Sequence, residues 1–209
     1  MKTVTDYIIS LTNLYGLVHW EKVAEIYNRH HETVIDTGVL AKVLAEAKPE
    51  LARHNVEIQG RYFVHEAVMD AGGFEELRNH QAGIPYYIPE PQELLKYKDE
   101  LYFEPNEAYW NLKEFVRRHL VDGDDEAAEF ICDEIQNICR FGFDIHAIMD
   151  ELSLRKVSFE SEAQLNEMIN LVMDLANNTR LWENNGHTLN ELIGVNDKPN
   201  LTVIPGGKK

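Results

Sequence analysis

Apolar residues return every three to four positions along most of this chain, the repeat of a helix that buries one face. Ile8, Leu11 and Tyr15 share a face within residues 5–16, and Gly16 ends that segment. Trp20, Val23, Ile26 and Tyr27 do the same within residues 19–31. Val39, Leu40, Val43, Leu44 and Ala47 mark a third helix that opens at Thr37 and stops near Pro49. The rhythm then changes. Residues 56–58 and 62–64 are β-prone and flank Gln59, Gly60 and Arg61, which predicts a short hairpin.

Beyond Gly72 and Gly73 the helical repeat resumes at residues 74–81, near 92–98 and at 106–120. Pro85, Pro89 and Pro91 fall within seven residues, so the stretch around Tyr86, Tyr87 and Ile88 must run extended, a strap across a hydrophobic core. Tyr109, Leu112, Phe115, Val116 and Leu120 line one predicted face, and Ala128, Ile131, Cys132, Ile135, Ile138 and Cys139 line the next. Gly142 ends that helix, and Asp144 caps the following one, with Phe143 placed to staple onto Ile148.

The clearest punctuation lies at residues 161–194. Ser161 with Gln164 and Thr188 with Glu191 have the spacing of capping boxes at the starts of two helices. Leu165, Met168, Ile169, Val172, Leu175 and Ala176 form the apolar face of the first. This helix, the polar elbow after it and the short last helix are expected to be the piece on which the rest packs.

The pattern defines a mainly α protein, a bundle-like set of helices with a small β-hairpin in the N-terminal third. Gly72 and Gly73 separate a three-helix-plus-hairpin subdomain, residues 1–72, from a helical subdomain, 73–195, and residues 196–209 form a loose tail. Three helices followed by a hairpin is the order of a winged helix, which raises nucleic-acid binding as one possible role.

Charge argues against it. The 209 residues carry a net −16: residues 1–72 hold 7 basic and 10 acidic side chains, 73–160 hold 9 and 20, and 161–209 hold 4 and 6. Phosphate contact needs clustered Lys and Arg, and the acidic middle repels it. The third helix offers only Lys42 and Lys48 beside Glu46. No apolar run reaches the length of a membrane span, and the N-terminus has no signal-peptide pattern, so a soluble cytoplasmic protein is expected. Cys132 and Cys139, seven residues apart on one helix, sit about 10 Å from each other, too far for a disulfide. They suit a reducing compartment.

Catalytic signatures are sparse. The chain has no P-loop, dinucleotide turn or nucleophile elbow. His31-Glu32 and His65-Glu66 begin like a zinc-protease helix, but Ile35 and Met69 stand where a second His is needed. The run from Asp122 to Glu126 begins like an EF-hand, yet Ala127 and Asp133 occupy the Gly and Glu positions. Acidic side chains at a helix start also favour its dipole. No metal or cofactor is expected. The elbow gathers Asn177, Asn178, Arg180, Trp182 and His187, which are candidates for a partner surface, since Trp beside Arg is enriched at interfaces. A structural turn, with Asn side chains closing a helix end, and acid–base work by Arg, Glu and His are the other two possibilities. Arg180 is expected to reach into solvent, with Trp182 half-buried.

Tyr15-Gly16-Leu17-Val18 with the helix to Tyr27-Asn28, residues 83–102 and residues 175–192 together resemble uncharacterised bacterial proteins of Gram-positive type. In these a helical body can precede a C-terminal SEC-C zinc motif. The resemblance implies an adaptor or regulator and no enzyme activity. The zinc motif does not carry over, because residues 198–207 contain no Cys. The expected function is therefore a protein-interaction or regulatory module whose partner is another protein. A winged-helix nucleic-acid binder and a small-molecule enzyme are the alternatives.

Overall fold

The computed structural model describes residues 2–140 and 143–194, and its centre is the first helix. In α1 (Lys2–Tyr15) Tyr7, Ile8, Ile9, Leu11 and Tyr15 are all fully enclosed. So are the polar Ser10 and Thr12, because the helix is covered on every side. Thr12 returns its hydroxyl to the Ile8 carbonyl at 2.7 Å, which removes the cost of burying it. The expectation that residues 161–194 form the hub is thus corrected. In α10 (Glu162–Asn177) only Met168, Val172 and Leu175 are fully buried.

A strand that periodicity does not reveal, β1 (Leu17–His19), leaves α1 through Gly16, whose φ of +72° favours glycine. It is followed by α2 (Trp20–His30) and α3 (Thr37–Arg53). The hairpin β2 (Val56–Gln59) and β3 (Tyr62–His65) turns at Gly60, with φ +60°. The sheet has the order β1-β3-β2, antiparallel throughout, with Val18 opposite Phe63 and Ile58 opposite Phe63 on the other side. The expected hairpin is therefore one side of a three-stranded sheet. The element order here is α1-β1-α2-α3-β2-β3.

One boundary differs from expectation. α3 continues through Pro49 to Arg53 instead of stopping there. An interior proline costs about 3 kcal/mol. Against this, the extra turn carries Leu51 into the core, 1% exposed, a burial worth about 1.5–3 kcal/mol.

Two short helices, α4 (Glu66–Asp70) and α5 (Phe74–Gln81), meet at Gly72, with φ +65°. The proline-rich stretch then straps Tyr86, Tyr87 and Ile88 onto the N-terminal core, as expected. α6 (Pro91–Leu94) and a 3₁₀ turn (Leu95–Lys98) deliver Leu94 and Tyr97 into the same core, well past Gly73. A second core forms between α7 (Glu107–His119), α8 (Asp125–Arg140), α9 (Ile145–Leu154) and α10. Cys132 and Cys139 lie in it, buried and unpaired.

The capping predictions resolve residue by residue. Asp144 accepts from the backbone of His146 and Ala147, and Ser161 from that of Gln164. Gln164 turns back to the Glu160 N–H, one residue before the cap, so that box closes by a shifted bond. Thr188 and Glu191 close theirs fully at the start of α11 (Leu189–Ile193). Phe143 remains exposed while Ile148 is buried. The predicted stop at Gly142 and the predicted tail at 196–209 lie outside the described residues. No described helix is long and apolar enough to cross a membrane.

Candidate functional site

The elbow after α10 begins as a helix end that needs its free carbonyls satisfied. Asn178 supplies this, its amide donating to the Asp174 carbonyl at 2.8 Å, and the Thr179 hydroxyl bonds the Leu175 carbonyl at 2.8 Å. Asn177 is the last residue of α10 and is half-buried. Beyond it the chain makes a tight turn with Asn185 at φ +50° and Gly186 at φ +80°. A Cβ on Gly186 would stand 2.9 Å from the Tyr15 ring, so the turn is pressed against the end of α1.

That end is where distant parts of the chain meet. The Asn13 carbonyl accepts from Trp182 Nε1 at 2.9 Å and from an Arg140 Nη2 at 3.0 Å. The Tyr15 carbonyl accepts from Gln81 Nε2 at 2.7 Å, and the same nitrogen reaches the Trp182 carbonyl at 2.8 Å. Asn185, wholly buried, donates to the carbonyls of Gln81 and Ile84. The last turn of α1 is thus capped by side chains from three remote elements. Carbonyls at a helix C-terminus carry partial negative charge, so Arg140 adds electrostatic as well as hydrogen-bond stabilisation.

Arg180 does not reach into solvent. Its side chain is 14% exposed, and its guanidinium lies 3.4 Å from the centroid of the Tyr87 ring. Nε and Nη2 engage Glu104 at 2.9 and 2.8 Å, while Nη1 engages the Gly186 carbonyl at 3.0 Å and Glu191 at 3.0 Å. Burial works against its charge, but the bonds it donates to Glu104 outweigh that and hold it firmly protonated. Burial alone would raise the Glu191 carboxyl. The Arg180 charge, the Thr188 N–H and His187 outweigh it and hold Glu191 below the usual carboxylate range.

His187 sits 3.2 Å from Glu191 and edge-on to Tyr87. Trp182 is half-buried, as expected, tilted against His65 at 5.0 Å between ring centroids.

Asn178, Arg180, Trp182 and His187 therefore direct their polar atoms mainly inward. The structure brings Arg180, Glu104 and Glu191 together as an ion cluster, with His187 beside Glu191. The adjoining cavity, lined by Tyr97, Glu104, Gln136, Arg140 and Arg180 among others, holds about 30 Å³, room for a water molecule and not for a substrate. Among the described residues no group of three or more His, Cys, Asp and Glu is placed to hold a metal ion.

Large exposed apolar side chains occur at several places, Val34, Leu101, Phe143 and Leu192 among them, and three lie on α7, α8 and α9. Trp110 is 53% exposed, Phe130 51% and Leu154 79%. A cation lies over each of the two aromatic rings. Lys113 lies 5.9 Å from the centre of the Trp110 ring and pairs with Glu129 at 2.6 Å. Phe130 follows Glu129 in the chain, and Arg155 lies 4.1 Å from its ring centre, next to Leu154. A signal for this face exists in the sequence. Trp110 and Phe130 each sit one position off the buried stripe of their helix, beside Tyr109 and Ile131, so the repeat that fills the core turns both outward.

Comparison with family models, with curated proteins and with solved structures finds no match to this chain.

Proposed function

We propose that this chain is a protein-interaction module of regulatory character, working in the cytoplasm on another protein. The observation that carries this is the exposure of Trp110 and Phe130 on the outer face of α7 and α8. Large aromatics are enriched where partners dock, because each brings much apolar area at small entropic cost. The two buried, unpaired cysteines agree with a reducing compartment. The elbow of Asn177, Asn178, Arg180, Trp182 and His187 serves in this scheme to join the two cores, and the partner contact moves to the α7–α8–α9 face. The test is a photoreactive phenylalanine analogue placed at Trp110 or Phe130, or at Lys42 on the far α3, in cells that express the protein. A discrete protein adduct from positions 110 and 130 and none from 42 is expected. Adducts from all three sites alike, or from none, would refute the assignment.

The element order, which resembles that of a winged helix, favours a second role, in nucleic-acid binding. The outward face of α3 weakens it, with Ala41, Lys42, Ala45, Glu46 and Lys48 where a recognition helix needs several bases.

A further inference from the structure

The segment that presents Phe130 is also strongly acidic. Residues 122–134 contain seven Asp or Glu and no Lys or Arg. On α8 the exposed positions Glu126, Glu129 and Phe130, with the half-buried Asp133 and Glu134, follow helical spacing and form one outward ridge. The neighbouring cations are already engaged, Arg117 with Glu114 at 2.9 Å among them. Lys113 pairs with Asp125 at 3.2 Å and with Glu129, and Arg155 pairs with Glu151 while lying over Phe130. Glu126 and Glu134 form no ion pair among the described residues. The ridge therefore keeps a net negative charge and carries Phe130 within it, with the exposed Trp110 on α7 and Leu154 on α9.

We propose that this ridge docks a basic amphipathic helix of the partner protein, its apolar side against Trp110 and Phe130 and its Lys or Arg residues over Glu126 and Glu129. This rests on the interaction role proposed above and adds the chemistry of the ligand. α8 has 16 residues and is about 24 Å long, enough for four to five turns of a docked helix. A docked amphipathic helix presents apolar anchors at intervals of three to four residues, and complementary charge sets orientation and speeds encounter. The other occupants fail on sign. Nucleic acid and anionic lipid both meet like charge here, and so does a second copy of a chain with net charge −16.

The probe is a fluorescent 18-residue helix of Leu and Lys, Leu at helical spacing on one side, with an otherwise identical Leu/Glu peptide beside it. Anisotropy should show saturable one-to-one binding of the Lys peptide and none of the Glu peptide. Trp110→Ala with Phe130→Ala should weaken binding at least tenfold, and Glu126→Gln with Glu129→Gln similarly. Glu75→Gln with Glu76→Gln, which removes the same charge on α5, should leave it unchanged. These side chains are exposed, and thermal melts of each variant confirm folding. Amide shift changes on adding the Lys peptide should be confined to residues 107–134 and 150–155. Equal loss with either glutamate pair would mean attraction by overall charge, and would overturn the proposal. Retained affinity in the aromatic double variant, or no binding by the wild type, would also overturn it. If both peptides bind and both need Trp110 and Phe130, the interaction face stands and its preference for a basic partner falls.

Discussion

The junction at the end of α1 makes a quantitative prediction through Gly16. A Cβ at this position would stand 2.6 Å from Cδ2 of the Trp182 ring and 2.8 Å from two further ring atoms, at a backbone φ of +72°. Two costs follow for Gly16→Ala. The left-handed backbone costs an L-residue about 1–2 kcal/mol. Contacts shorter than 3 Å must relax by moving the ring, and overpacking of this kind costs about 1–3 kcal/mol, including any weakening of the 2.9 Å bond from Trp182 Nε1 to the Asn13 carbonyl. Gly60→Ala isolates the first cost, since Gly60 has φ +60° and nothing within 4 Å of its would-be Cβ. Urea unfolding should therefore place Gly16→Ala about 2 kcal/mol below Gly60→Ala, a gap of about 4–8 °C in melting temperature for a chain of this size. The double variant Gly16→Ala/Trp182→Ala completes the cycle. With the ring gone the clash vanishes, so the pair should fall short of additivity by about 1–3 kcal/mol. Equal destabilisation by the two glycine variants, or full additivity in the double variant, would refute the claim that Trp182 is seated on the end of α1.

Three further outcomes are expected. Burial pushes both the Cys132 and Cys139 thiols up to about 12, so a thiol reagent at pH 8 should label neither in the folded protein and both in urea; prompt native labelling would contradict their place in the second core. Burial lowers the pKa of His65, whose Nδ1 accepts from the Ala67 N–H, so the unfolded chain binds a proton that the folded one resists. Stability from this source is complete above about pH 6.5 and declines as the pH falls below it. His65→Gln should flatten the change in unfolding free energy between about pH 7.5 and 5.5, and unchanged slopes would count against it. At physiological salt the protein should show no saturable binding to a DNA duplex, and binding that falls steeply as salt rises would restore the winged-helix role.

Much of this architecture is decided within single turns of chain, and that part was legible in the sequence. The stripes from Tyr109 to Val116 and from Ala128 to Cys139 chose the inward faces of α7 and α8, and with them the burial of both cysteines. Asp144, Ser161 and Thr188 fixed three helix starts, because a cap bonds N–H groups only two or three residues away. The prolines at 85, 89 and 91 alone forced the strap. Tertiary structure decided the rest. β1 has three residues, too few to show an alternation, and exists because β3 offers it a free edge. α3 passes Pro49 because the core rewards burial of Leu51. The elbow's polarity suggested an exposed Arg180, yet its partner Glu104 lies 76 residues away, and Trp182 finds its acceptor 169 residues away at Asn13. A polar side chain carries no local mark that tells solvent from a distant counter-charge. Only the tertiary fold supplies those partners, Glu104 for Arg180 and Asn13 for Trp182, and the same fold leaves Trp110 and Phe130 outside.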